Sequence, residues 1–259
     1  MSALLQDPAD RLRFPWKTFT GAIVINKLHE AMNKGRAAIK NWAGTLKDQA
    51  ESTIPNLFNS AFWNSSPAAN EPESIPHLIN TTATTGTIGG LDRSTHVSLQ
   101  NGVYATAQSD IGGEAGLKAL SAQIIKYAIN ARDMVDIIIM GDDNYAALEA
   151  YLGTLSRYRQ NERLAQLKFR TIQYGNVVIS FENASNVKGN AQTMNPKYVY
   201  GINSNHFSFY VLKDGNFKWA DKFERVGQSL NRALYFFVFC NLGTNLPRAH
   251  FVMSNVSNT

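Results

Sequence analysis

Gly35–Phe58, G-R-A-A-I-K-N-W-A-G-T-L-K-D-Q-A-E-S-T-I-P-N-L-F, decides how the rest of the chain is read. Ile39, Trp42, Leu46, Ala50, Ile54, Leu57 and Phe58 recur at steps of three and four, which lays an apolar stripe along a helix of about six turns. Arg36, Lys40, Lys47 and Asp48 fall mostly off that stripe, so the opposite face reads as wet and largely cationic. Burying the larger stripe residues is worth roughly 1.5–3 kcal/mol each, and a helix of this kind needs a partner surface to be stable. Pro55 removes one backbone donor and is expected to kink or end the last turn. The stretch reads as a strut early in the chain.

Outward from the strut, Trp16–Lys27 (W-K-T-F-T-G-A-I-V-I-N-K) is β-branched and aromatic without helical spacing, a strand feeding the helix. Before it, Pro8 and Pro15 punctuate an extended arm or loop. After it comes a proline- and serine-rich loop. Residues 81–95, T-T-A-T-T-G-T-I-G-G-L-D-R-S-T, read as a further loop, too rich in Thr and Gly for a helix interior. Gly113–Arg132 carries a helical stripe of Leu117, Leu120, Ile124, Ile125, Ala128 and Ile129. V-D-I-I-I-M then suits a strand covered on both faces, and Gly141–Tyr158 returns to helix, with Asp142 or Asp143 as its cap. L-K-F-R-T-I-Q-Y and N-V-V-I-S-F are strands joined near Gly175. N-H-F-S-F-Y-V-L and N-F-K-W flank Lys213-Asp214-Gly215, a hairpin signal, and A-L-Y-F-F-V-F-C-N-L and A-H-F-V-M-S are late aromatic strands. Helices packed on a central sheet make an α+β chain with no clean linker.

The 259 residues suffice for one large domain or two smaller ones. No window approaches the roughly 18 apolar residues of a membrane span, and M-S-A-L-L-Q-D-P-A-D-R-L-R lacks the pattern of a signal peptide. Manufacture and retention in a cytoplasm are expected. The single cysteine, Cys240, lies in an apolar run and reads as a buried thiol. Net charge is +5, but eight of the bases fall between Arg11 and Lys47 against one acid, Glu30. That excess would attract a polyanion without reading base sequence, and it equally suits a solvated face.

Catalytic motifs are missing. Adjacent Asp142 and Asp143 at a helix start suit capping, not acid–base work. His29, His77, His96, His206 and His250 are far apart in sequence and form no H-E-x-x-H. Gly86, Gly89 and Gly90 match neither phosphate-binding nor dinucleotide fingerprints. No G-x-S-x-G surrounds a serine. Trp16, Trp42, Trp63 and Trp219 could stack on bases, although packing explains them better. The sequence therefore points away from an enzyme, with no cofactor and no metal expected.

The order of segments carries a resemblance. W-K-x-F-x-x-x-I-x-I entering L-H-E-A-M-N-K-G-R-A-A-I and a long helix, then T-G-T-I-G-G-L-D-R-S-T, then a helix followed by V-D-I-I-I-M-G-D-D-N-Y, and later Y-V-Y-G-I-N-S-N-H-F, resembles tailed-phage major capsid proteins of the Hong Kong 97 fold. The likeness spans residues 16–256. It implies residues 1–15 as an N-terminal arm or loop, 16–74 as peripheral strand and spine helix, and 75–259 as mainly an axial domain, and leaves open a return of late segments to the peripheral sheet. It further implies a coat protein that self-assembles as pentamers and hexamers into an icosahedral head holding double-stranded DNA. Assembly in the host cytoplasm is expected, with portal, scaffolding or decoration proteins as partners and no membrane. Arg36, Lys40 and Lys47 become the DNA-facing candidates and Arg11, Arg13, Asp92 and Arg93 the intersubunit candidates. Only about 15 residues precede Trp16, fewer than is usual in the family. Either the arm is short, the chain is a processed or truncated form, or neighbours are tied together differently. The rival readings are an encapsulin-like nanocompartment shell, a non-assembling nucleic-acid-binding domain, and an enzyme with a scattered site.

Overall fold

The computed structural model describes residues 11–26, 36–105, 109–155, 171–182, 194–220, 224–225 and 231–257. The arm before Arg11, the strand start at Leu167–Arg170 and the helix end at Tyr158 lie outside these residues. The strut is helix α1 (Arg36–Phe62), 27 residues and about 40 Å long at 1.5 Å per residue. It passes through Pro55 instead of ending there. The residues beyond the proline explain why: Phe58 stacks on Phe19 at 4.4 Å and lies 5.6 Å from Phe62, so aromatic contacts below the break offset one lost backbone hydrogen bond. Ile54 and Phe58 are buried, as the stripe requires, but Leu57 is 43% exposed and stands off it. The side chains of Ile39 and Trp42 are outside the described residues.

The surface beneath α1 is a sheet built on β13 (Arg232–Thr244). Strand β1 (Lys17–Ile25) runs antiparallel along one edge, from Lys17 opposite Cys240 to Ile25 opposite Arg232. The other edge is shared by β10 (Phe207–Val211), β11 (Lys218–Trp219) and β12 (Glu224–Arg225) in succession. The described segments between 207 and 244 thus rejoin β1 and α1. The expected hairpin at Lys213-Asp214-Gly215 is absent: that segment is a 3-10 turn, and the strands on either side both pair with β13. The turn passes over Phe239, whose ring leaves no room for a side chain at Gly215. Phe236, Val238 and Cys240 point to Ile54 and Phe58 to form the core under the helix.

The second sheet has six strands in the order β4 (Gly102–Tyr104), β14 (Phe251–Met253), β9 (Val199–Ile202), β6 (Ile137–Gly141), β8 (Val177–Glu182), β7 (Ile172–Tyr174). Strand β6 is covered on both faces, as its unbroken apolar run demands. Ile138 and Met140 meet α3 (Glu114–Lys126) and α4 (Asp142–Leu155) through Leu120, Ile124, Leu148 and Leu152. Ile137 and Ile139 face the opposite core, made by Trp63, Leu99 and the single-turn helix α2 (Ile75–Leu78). Helix α3 stops six residues short of the expected Arg132, because Tyr127 leaves the helix to stack on Phe251 at 5.9 Å and fill the space above Gly102. Ile125, still within the helix, is 75% exposed and not part of the buried stripe.

The threonine- and glycine-rich loop contains a tight hairpin of β2 (Thr87–Ile88) and β3 (Leu91–Asp92). Gly89 and Gly90 have φ of 56° and 85°, the two positive values that the mirror-image hairpin turn needs and that only glycine accepts freely. A last pair, β5 (Ser109–Asp110) with β15 (Val256–Ser257), is parallel.

Two glycines give opposite expectations. A Cβ at Gly201, in the middle of the second sheet, would sit 2.3 Å from Phe251 Cε1, so Gly201→Ala should lower stability by about 1–3 kcal/mol. A Cβ at Gly44 on α1 meets nothing within 4 Å, and Gly44→Ala should raise stability by up to about 1 kcal/mol. Denaturant midpoints at unchanged slope measure both.

Candidate functional site

Residues 11–15 cross the β2–β3 hairpin. The Arg13 backbone N–H donates to Gly89 O at 2.9 Å, and the Leu12 side chain lies against the glycine, where a Cβ would clash at 2.9 Å. Cavities of about 650 and 470 Å³ open beside this strap, both lined by Arg11 and Leu91. Arg13, Glu73 and His77 line the smaller one. Arg11, Arg13 and Asp92 are exposed around the hairpin. The Ser94 backbone N–H and hydroxyl hold the Asp92 carboxyl below its ordinary pKa.

Arg93, expected at an intersubunit surface, is instead 1% exposed and bonded within its own chain. Its guanidinium donates to His77 O at 2.7 Å, Leu78 O at 2.9 Å and Asn101 Oδ1 at 2.8 Å. The two carbonyls end α2 and have no partner inside so short a helix, so the arginine caps it. Burial lowers the Arg93 pKa, and the nearby Glu73 carboxylate opposes that shift. Asn101 in turn accepts from the Asn80 N–H at 3.0 Å and donates to Asn80 O at 2.8 Å. The knot ties α2, the hairpin and the start of β4 together.

A second polar cluster lies where the chain passes between the sheets, at 203–206 and again at 245–250. Asp133 accepts from Asn203 Nδ2 at 2.7 Å and pairs with His206 Nε2 at 2.8 Å, while His206 Nδ1 meets Asn245 Oδ1 at 2.8 Å. These bonds hold the Asp133 carboxyl down to about 2, the His206 contact being the largest cause. Burial works against a charged His206, but its bonds to Asp133 and Asn245 outweigh it and raise the pKa. His250 is buried: its Nδ1 accepts from the Asn203 N–H at 3.1 Å, leaving Nε2 as the donor to Thr244 Oγ1 at 2.9 Å. Burial first, and His206 second, push it down to about 4. Ser204 bonds Asp136 and not His206, so no nucleophile–base–acid chain forms here. No sequence spacing announced this cluster, since 73 residues separate Asp133 from His206.

Of the basic set, Lys47 is the one whose side chain is described. It pairs with Glu51 at 3.6 Å and stands 5.7 Å from the Trp219 ring centroid, turned toward the sheet and not away from it. Arg36 and Lys40 belong to the first turns of α1, and their side chains lie outside the described residues. Cys240 is buried, as its apolar run suggests, and burial pushes its thiol up to about 11. Among the described residues no group of three or more His, Cys, Asp or Glu could hold a metal, and no helix is long and apolar enough to cross a membrane.

This architecture, a long helix on an antiparallel sheet beside a mixed six-stranded sheet, recurs in solved structures. The capsid of cyanophage A-1(L) superposes with a TM-score of 0.62 at 11% identity, over 95% of this chain and 78% of that one. The chain has the Hong Kong 97-like capsid fold. The capsid of Myoviridae phage XM1 gives 0.55 at 9% identity, covering 93% and 74% of the two chains. That of an empty GTA particle gives 0.54 at 10%, covering 94% and 74%. No protein-family model and no curated protein matches the sequence.

Arg93→Met should cost about 2–5 kcal/mol, because it strands two helix-end carbonyls and removes one of the two donors to Asn101 Oδ1. Thermal and denaturant unfolding of the isolated subunit would read it. For His250 the folded pKa lies below the ordinary 6.5, so stability is lost as pH falls from 6.5 toward about 4, by about 3 kcal/mol in all. His206 has the opposite sign: its contribution is fully present below 6.5 and fades as pH rises through the raised pKa. Denaturant midpoints between pH 4 and 8 should show the acid limb flattened in His250→Gln, and the His206→Gln deficit largest on the acid side.

Proposed function

We propose that this chain is a coat subunit that assembles, without a catalytic step, into an icosahedral shell around double-stranded DNA. The observation that carries the reading is the shared architecture over 95% of the chain with the cyanophage A-1(L) capsid. On this reading α1 is the spine helix, the β13 sheet is the peripheral domain and the six-stranded sheet is the axial domain. Pentamers and hexamers form the shell in the host cytoplasm, and portal, scaffolding or decoration proteins join it. Each subunit touches several neighbours in a closed shell, so contacts that are individually weak suffice together. Arg11, Arg13 and Asp92, exposed around the β2–β3 hairpin, are assigned to intersubunit contact. Arg93 is not, because its donors are engaged inside the subunit. Arg36 and Lys40 are assigned to the DNA side, as a non-specific cationic surface whose hold weakens with salt. Lys47, expected there, is not, because it pairs with Glu51 and turns toward Trp219.

Light scattering and negative-stain microscopy of the purified protein at low and high salt should show closed shells or regular capsomers. Nucleic acid within the shells supports the DNA-holding head, whereas shells filled with protein alone would turn the reading toward a nanocompartment. A monomer at every concentration that binds DNA tightly would overturn the shell.

A further inference from the structure

Sheet edges need protection, because a row of unpaired N–H and C=O groups is a template for another strand. Among the described residues three of the four edges of the two large sheets are short or broken. Strands β4 and β7 have three residues each. The far edge of β13 is divided into pieces of five, two and two residues, interrupted by the 3-10 turn and by Phe217 at φ 45°. The fourth edge is different. Strand β1 offers nine residues, K-T-F-T-G-A-I-V-I, with no proline, no bulge and its one charge, Lys17, at the end. Its only strand partner among the described residues is β13, on the other side. Thr18, Thr20 and Ala22 are exposed, and Val24 is 54% exposed.

We infer that the free edge of β1 pairs with β1 of a second copy, antiparallel about a two-fold axis centred on Gly21. The odd positions of β1 point to the face covered by α1, where Gly21 leaves room for the Phe236 ring and Ile23 and Ile25 are buried. Two copies keep a common covered face only when odd positions meet odd positions. Of the registers that satisfy this, the one centred on Gly21 pairs all nine residues. It sets Thr18 opposite Val24, Phe19 opposite Ile23 and Thr20 opposite Ala22. The two Lys17 stand at opposite ends, each facing Ile25, so no like charges meet. The seam is self-complementary, as a two-fold contact must be. It rests on the shell reading in taking the partner to be a second copy.

The test uses the full chain. Thr20→Cys and Ala22→Cys, carried on differently tagged copies, would place their thiols opposite each other within disulfide reach across the seam. Two copies of Thr20→Cys alone would set their thiols diagonally, about 7–8 Å apart. Native Cys240 is buried and does not compete. Mild oxidation of the mixture should give at least tenfold more crosslinked dimer than either variant alone. The double variant Thr20→Lys/Ala22→Lys, on an exposed face, should abolish two-fold association. Thr20→Lys/Ala22→Glu should restore it, since the introduced lysine of one copy then faces the introduced glutamate of the other. Shells that form without the mixed crosslink, equal crosslinking in Thr20→Cys alone, or identical behaviour of the two charge variants would overturn the seam and leave the shell standing. A protein monomeric at all concentrations that binds DNA tightly would overturn both.

Discussion

The structure depends on one strand. Strand β13 is thirteen residues long and is used on every side. One edge takes β1 along nine residues, and the other takes three segments in turn. Phe236, Val238 and Cys240 on one face hold α1, while Tyr235, Phe237 and Phe239 lie on the other. Without it α1 has no floor, because the helix stripe finds its buried partners there. At Thr244 the same backbone leaves the first sheet, turns through 245–250 and enters β14 of the second. The position of one sheet against the other is therefore set by a continuous run of chain, and the Asp133, His206 and His250 bonds sit at its turn.

Parts of this were legible in the sequence because the signal was local. The stripe of α1, the two-sided burial of β6 and the helical pattern of α4 each follow from residues within a few turns of one another. What escaped was decided by distant partners. Lys213-Asp214-Gly215 has good hairpin chemistry, yet β13 was long enough to pair with both flanking segments, and non-local pairing won over turn preference. Pro55 failed to end α1 because Phe58 had Phe19 to stack on. Leu57 and Ile125 fit their stripes by spacing, but both stay exposed, and among the described residues no second surface covers them.

The polar sites were less legible than the fold. Arg93 sits in a segment of Gly, Thr and Ser that reads as surface loop, and a lone arginine there looks solvated. Its burial is tolerable because three acceptors converge on it, two of them carbonyls at the end of a helix too short to satisfy them itself. No spacing rule announces such an arrangement. The histidines are far apart in sequence. Topology brings His206 and His250 to one turn, where they take opposite protonation preferences, one paired with a carboxylate and the other enclosed.

On the proposed shell reading, the division between satisfied and unsatisfied groups suits assembly. A subunit that must meet several neighbours has to be a settled shape first, so polar groups that would be stranded by a lost partner should be closed off internally. Arg93, Asn101, Asp133 and His250 all obey this. Among the described residues, groups left open at the surface include the strap arginines and the outer backbone edge of β1, both of which water satisfies readily. Each can stay in contact with water in a free subunit with little penalty and still gain from a partner. On that reading, the asymmetry would let contacts stay weak singly and reversible, which a closed shell needs if misplaced subunits are to leave before the lattice locks them in.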